Sequence, residues 1–251
     1  MITAYHRPKT LDEALTLLTQ PNILPLGGGT LLSRPQSDPV EVVDLQSLSL
    51  DSIKKSGNNL EIGATVTLQQ LLENEHCHDA LKLALKLEAP LNLRNAATIA
   101  GTLVACDGRS TFVTVMLAQD AKIEQTTLDH SKIESRLSNI GEFLPLRAPG
   151  LITSITFPLN VKLAFDYVSR TPSDKPIVCA ALAQWNSGRN RLALGGHGKT
   201  PMLAMDGTEP EGLEAAARNA FHEATDEWAS AEYRMDVATT LAKRCLDEMS
   251  K

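Results

Sequence analysis

Two runs of small residues are the places in this sequence where chemistry could be arranged. Gly27-Gly28-Gly29-Thr30 follows the short apolar segment Ile23-Leu24-Pro25-Leu26. Without Cβ atoms, consecutive backbone N–H groups can converge on an anion and approach it closely, so this run could cradle a phosphate or pyrophosphate. A tight turn with no ligand is the competing reading. The run is not a Rossmann fingerprint, because Leu32 stands where the third glycine of G-x-G-x-x-G belongs. The second run, Thr98-Ile99-Ala100-Gly101-Thr102, carries two hydroxyls and one glycine. Alone it reads as an ordinary buried bend. Paired with the first, it suggests two loops closing on the two ends of a dinucleotide.

Other chemistries find little support. The stretch from Ala193 to Thr200 nearly spells a phosphate-binding P-loop, but that loop must open a helix and Pro201 biases Thr200 away from the α region. Neither G-x-S-x-G nor H-E-x-x-H occurs. His76-Cys77-His78 offers adjacent ligands that point different ways, and the four cysteines (Cys77, Cys106, Cys179, Cys245) include no CxxC pair, so no metal or iron–sulfur site is expected. Trp185 and Trp228 read as core or interface residues. No catalytic side chain stands out; any chemistry must come from a bound cofactor. The net charge of −6 and the lack of a Lys/Arg run argue against nucleic acid. The longest apolar runs, such as Ile177 to Ala183, are far too short for a membrane span. The N-terminus lacks the apolar region of a signal peptide, and with free thiols this points to a reducing cytoplasm.

The elements that would position these runs can be read from caps and periodicity. Thr10 and Glu13 form a capping box ahead of Leu11, Ala14, Leu15 and Leu18, which predicts a helix over 10–19. Thr67 and Gln70 form a second box, opening a helix to about Asn74, and a longer helix follows from His78 to Glu88. Strands are expected at 23–26, 42–45 and 60–64, around 121–125 and at 152–157. Residues 91–110 read as irregular, followed by a buried apolar run from Val113 to Leu117. After Pro158 a meander is expected (163–169, 177–185, 191–194), then helices near 209–222 and 230–249. Met202 to Met205, followed by a turn at Asp206-Gly207, stays outside the meander. Strands first and helices last suggest a separate α+β domain, with a boundary near residue 160.

Taken in order, these segments resemble the FAD-binding, medium subunit of the xanthine dehydrogenase and carbon monoxide dehydrogenase (molybdenum hydroxylase) family. Leu26 to Thr30 resembles the first flavin loop, usually A-G-G-T-D-L, and Val43-Asp44-Leu45 follows at the expected interval. Ile62-Gly63-Ala64-Thr65-Val66-Thr67 resembles I-G-A-x-x-T. Arg94-Asn95 with Thr98 to Thr102 resembles R-N-x-x-T-I-G-G-N, the second flavin loop, and Leu117 to Ala121 continues it. Farther on, Arg170 and Asp174 fit R-x-x-x-D, Ala193 to Gly196 fits A-L-G-G, and Ala231-Glu232-Tyr233-Arg234 fits A-x-Y-R. The resemblance implies an α+β fold: a PCMH-type FAD-binding domain over 1–160, in two subdomains split near 55–65, then an α+β C-terminal domain over 161–251 with a small three-stranded antiparallel sheet and helices.

The resemblance also implies FAD as cofactor, with Leu26, Gly27, Gly28, Gly29, Thr30, Leu31, Thr98, Ala100, Gly101, Thr102, Ser110, Thr111, Leu151 and Tyr167 at contact positions. It implies partners carrying molybdenum cofactor and [2Fe–2S] clusters, often as a doubled heterotrimer, and an acceptor such as NAD, a quinone or O₂. Several contact positions depart from the pattern. Ala100 replaces a glycine, Thr102 an asparagine, Leu31 and Thr111 aspartates, and Tyr167 a lysine. Each lost polar contact would weaken binding by about 1–3 kcal/mol. Two readings follow: a divergent, working flavin subunit, or a relative that has lost FAD and serves as a scaffold or assembly subunit.

Overall fold

The computed structural model describes residues 1–35, 38–129 and 132–250. The chain opens with β1 (Ile2–His6), α1 (Leu11–Leu18), β2 (Ile23–Leu26), β3 (Val40–Asp44), β4 (Ile53–Ser56) and β5 (Asn59–Gly63). Five helices follow: α2 (Leu68–Glu73), α3 (Asp79–Glu88), α4 (Leu91–Arg94), α5 (Ile99–Ala105) and α6 (Thr111–Ala118). Then come β6 (Lys122–Asp129), β7 (Lys132–Asn139), α7 (Ile140–Leu146) and β8 (Leu151–Pro158). The chain continues with β9 (Val161–Val168), β10 (Val178–Trp185), β11 (Asn190–Gly195), β12 (Met202–Gly207), α8 (Leu213–Ala220) and α9 (Ala231–Met249). These elements form two compact units. The first comprises Met1–Leu71, Leu91–Ala105 and Lys122–Thr156; the second comprises Leu72–Pro90, Cys106–Ala121 and Phe157–Lys251.

The first unit holds two sheets. One is parallel, in the order β1-β3-β2; the other runs β4-β5-β8-β6-β7. Helix α1 starts where its capping box predicts, with the Glu13 N–H donating to Thr10 Oγ1 at 3.2 Å. The return half of the box differs, since the Glu13 carboxylate accepts from the Lys9 N–H rather than from Thr10. The apolar face of α1 buries Ala14 and Leu15 with Ile23, Val43, Leu45 and Leu151. The second box is complete: the Gln70 N–H donates to Thr67 Oγ1, and the Thr67 N–H donates to Gln70 Oε1 at 2.8 Å.

The second unit is built on an antiparallel sheet ordered β12-β11-β10-β9. Alternate residues of β10 explain its unbroken apolar run. Val178, Ala180 and Leu182 pack with Leu213 and Ala217 of α8 and with Leu241, Ala242 and Cys245 of α9. On the opposite face Cys179 meets Thr114 of α6, Sγ to Oγ1 at 3.8 Å. A strand covered on both faces loses the polar alternation that marks a half-exposed one. Helix α6 is likewise buried at every position, so it shows no amphipathic stripe.

The structure corrects several sequence expectations. Residues 91–110 are not irregular, because α4 and α5 lie within them. The C-terminal sheet has four strands rather than three. Met202–Gly207 continues past the expected turn as β12, held by antiparallel pairing of Asn190 with Gly207 and Leu194 with Met202. Strands β1, β4 and β7 and helix α7 had no local signal strong enough to be read. Strand β1 pairs with a partner distant in sequence, Tyr5 against Val42, while β4 and β7 pair with the neighbouring strands β5 and β6 in hairpins.

Candidate functional site

The glycine run leaves β2 and turns at Gly29, whose φ of +69° is the left-handed conformation that glycine adopts without penalty. The run is bracketed by β3 and the residues after it. The Leu45 N–H donates to the Leu26 carbonyl at 3.1 Å, and Gln46 Nε2 donates to the Gly27 carbonyl at 3.3 Å. Asp44, buried at the end of β3, accepts the Gln46 N–H at 3.0 Å and the Tyr5 hydroxyl, and lies 3.5 Å from Arg7 Nε. That hydrogen bond, before burial and the carboxylate charge, raises the Tyr5 phenol above its ordinary value.

The second small-residue run is not a loop. Thr98 is the cap of α5: its Oγ1 accepts the Gly101 N–H at 3.1 Å, and its carbonyl accepts both the N–H and the Oγ1–H of Thr102 at 2.8 Å. The Ile99 N–H donates to the Val66 carbonyl at 2.8 Å and the Ala100 N–H to the Ala64 carbonyl at 3.3 Å. Capping by a threonine offsets the helix-weakening glycine and β-branched residues in this turn, and the bonds to residues 64–66 fix the helix start from outside. Local propensity gave no hint of either.

The structure brings the two runs together. A Cβ on Gly28 would fall inside the Ala96 carbonyl group and 3.2 Å from the Ala97 nitrogen, and one on Gly27 would lie 2.7 Å from Thr98 Oγ1. These glycines are therefore required first by packing of one run against the other, Gly28 against backbone and Gly27 against the Thr98 side chain. The consequence for chemistry lies in the donors. Every N–H from Ile99 to Thr102 is taken by a protein acceptor. Among the described residues, the N–H groups of Gly27, Gly28, Gly29 and Thr30 have none. All four residues are half-buried, and consecutive amides without acceptors are donors open to a phosphate or pyrophosphate.

The remaining positions divide between the units. Leu31 is exposed beside the glycine run, and Ala100 is half-buried on the first turn of α5. Leu151 is a core residue of the first unit. Ser110, Thr111 and Tyr167 belong to the second unit. Ser110 and Thr111 are fully buried at the start of α6, where both hydroxyls and the Phe112 N–H donate to one oxygen of Glu88, at 2.8, 3.2 and 3.0 Å. Thr111 Oγ1 also donates to the Ala84 carbonyl at 2.7 Å. Tyr167 is half-buried on β9, its ring stacked on Phe165 with centroids 6.2 Å apart. Sequence reasoning missed Ala96, Gln46 and Glu88, whose roles depend on contacts 19 to 68 residues away along the chain or on a backbone atom that carries no residue signature.

A family model described as the FAD binding domain in molybdopterin dehydrogenase matches residues 1–160. The chain belongs to this family. Over 250 residues it is 27% identical to the uncharacterized protein YgfM of Escherichia coli K12, covering 96% of this chain and 94% of that protein. It is 26% identical to the carbon monoxide dehydrogenase medium chain of Afipia carboxidovorans, covering 97% and 95%. A solved Cu,Mo-CO dehydrogenase superposes with a TM-score of 0.82 at 24% identity, covering 98% of this chain and 97% of that one, so the two share a fold. FAD is accordingly the cofactor of this chain. Among the described residues, no helix is long and apolar enough to cross a membrane.

Proposed function

We propose that this chain is the flavoprotein subunit of a molybdenum hydroxylase-type oxidoreductase, passing electrons from [2Fe–2S] clusters on a partner to an external acceptor such as NAD, a quinone or O₂. The observation that carries this reading is the row of unpartnered amides at Gly27–Thr30, braced against Ala96. Its support beyond this chain comes from relatives that are themselves parts of larger enzymes: a medium chain of carbon monoxide dehydrogenase and a subunit alpha of the 6-hydroxypseudooxynicotine dehydrogenase complex. A molybdenum-cofactor subunit would then complete the assembly and choose the substrate.

The chain's own residues would bind and orient rather than react. The amides of Gly27 to Thr30 would donate to the pyrophosphate oxygens. Gln46 would hold the Gly27 carbonyl, with Asp44 fixing the Gln46 backbone from below. Thr98 and Ala96 would keep the run from drifting, because both press on glycines that have no side chain to yield. FAD itself supplies the exchange between one-electron and two-electron transfer.

The test is optical. The purified chain, supplied with FAD, should carry the flavin absorption bands and quench added FAD fluorescence with saturation. A colourless protein that takes up no FAD from an excess would overturn this reading and leave the scaffold role standing.

A further inference from the structure

The outer strand of the five-stranded sheet has a property that the flavin reading does not use. Strand β7 pairs with β6 alone, from Lys122 opposite Asn139 to Asp129 opposite Lys132, and its other edge has no neighbour among the described residues. Six consecutive residues, Lys132 to Leu137, are exposed, so both faces of the strand meet solvent as well as its edge. Two of them are large and apolar: Ile133 is 46% exposed and Leu137 is 62% exposed. A long, flat edge with exposed aliphatics is a template for another strand unless something covers or blunts it.

Charges on an edge often serve to blunt it. Here their order does the reverse for one partner. Strand residues alternate between faces, so Ile133, Ser135 and Leu137 share one face while Glu134 and Arg136 share the other. If a second copy of β7 lies antiparallel with Ser135 opposite Ser135, Glu134 stands opposite Arg136 twice and Ile133 stands opposite Leu137 twice. A shift by two residues in one sense sets Glu134 against itself and Lys132 against Arg136. In the other sense it sets Arg136 against itself. One register therefore joins opposite charges and apolar pairs together, and its neighbours oppose like charges, each such pair mattering at a fraction of a kcal/mol or more.

We propose that the free edge of β7 is a self-recognition surface: two copies of this chain pair antiparallel about a two-fold axis at Ser135, joining their five-stranded sheets into one. The symmetry is isologous, with the same patch used by both copies. A single strand seam with four aliphatic side chains is small, so the expected dimer is reversible, with a dissociation constant on the order of micromolar.

The full-length chain, with FAD added, is followed by sedimentation velocity from about 1 to 200 µM, a range chosen to bracket a micromolar dissociation constant. Wild type should shift from monomer to dimer. Glu134→Arg places arginine opposite arginine, and Arg136→Glu places glutamate opposite glutamate; each should raise the dissociation constant about tenfold or more. Mixing the two variants should restore dimerisation, because both charged positions of the first variant are then arginines facing the two glutamates of the second, on both sides of the axis. Glu134 and Arg136 are both on the surface, so the variants should keep the circular dichroism and FAD uptake of wild type. A wild type that stays monomeric throughout the range overturns the proposal. So does a dimer that survives either single reversal, or a mixture that fails to recover it.

Discussion

Replacing Gly28 by alanine tests whether the glycine run is shaped by packing or by its ligand. In the structure the added Cβ would sit 2.5 Å from the Ala96 carbonyl carbon and 3.2 Å from the Ala97 nitrogen, closer still to the carbonyl oxygen. All three atoms are backbone, held between α4 and α5, and none can swing aside as a side chain end would. Overpacking of this kind costs about 1–3 kcal/mol. For a chain of this length that lowers the melting temperature by roughly 2–4 °C per kcal/mol. The same displacement would misalign the amides of Gly28, Gly29 and Thr30, weakening FAD by about tenfold or more, since 1.4 kcal/mol is a factor of ten. The assay is a pair of measurements on G28A: thermal unfolding of the FAD-free protein, and FAD titration by fluorescence. Gly212→Ala is the control, because nothing lies within 4 Å of a Cβ there and its φ is −88°. If Gly28 served only the close approach of a ligand, the FAD-free variant would melt like wild type and affinity alone would fall. That outcome, or wild-type affinity in a well-folded variant, would refute the packing argument.

Other substitutions probe the second unit. Arg234 is fully buried, with its guanidinium donating to Asp226 at 2.7 Å and to the carbonyls of Ala224 and Ala229; Arg234→Ala should destabilise by about 3–5 kcal/mol in denaturant melts, because it strands a carboxylate and two carbonyls. Burial works to raise the Asp226 carboxyl, but Arg234 and the Trp228 and Ala229 amides overcome it and hold it below its ordinary value. A depressed folded value contributes stability above the unfolded pKa of about 3.9 that is lost as pH falls through the folded one, so acid should destabilise wild type in that window more than the R234A variant. Glu88→Ala removes the acceptor of three hydrogen bonds at the start of α6 and should cost about 1–3 kcal/mol, with Glu88→Gln losing less. All four cysteines are buried, and burial pushes the Cys77, Cys179 and Cys245 thiols up to about 12, so the native protein should react with a thiol reagent at pH 8 far more slowly than the denatured chain.

Much of the frame was legible from residue types. Capping boxes are local devices, and both Thr10/Glu13 and Thr67/Gln70 stand at the start of the helices they announced. The apolar runs at 178–183 and 113–117 are buried, while of Ile23–Leu26 only Ile23 is. The Gly27–Thr30 run was readable as a possible anion cradle, since the absence of Cβ is a property of sequence alone. The ordered motifs carried the family and, with it, the cofactor.

Tertiary structure decided what these pieces do. It turned Thr98–Thr102 from a loop into a capped helix start, because Val66 and Ala64 supply acceptors that no local pattern reveals. It assigned Gly28 to a close contact with the backbone of Ala96 and Ala97 and Gly27 to one with the Thr98 side chain, and left the free donors on one run instead of two. It placed Ser110 and Thr111 around a glutamate more than twenty residues earlier. Residue identity limits which donors, acceptors and conformations are possible. Which of them remain free for a ligand depends on where distant backbone atoms come to rest, and that is settled only when the chain has packed.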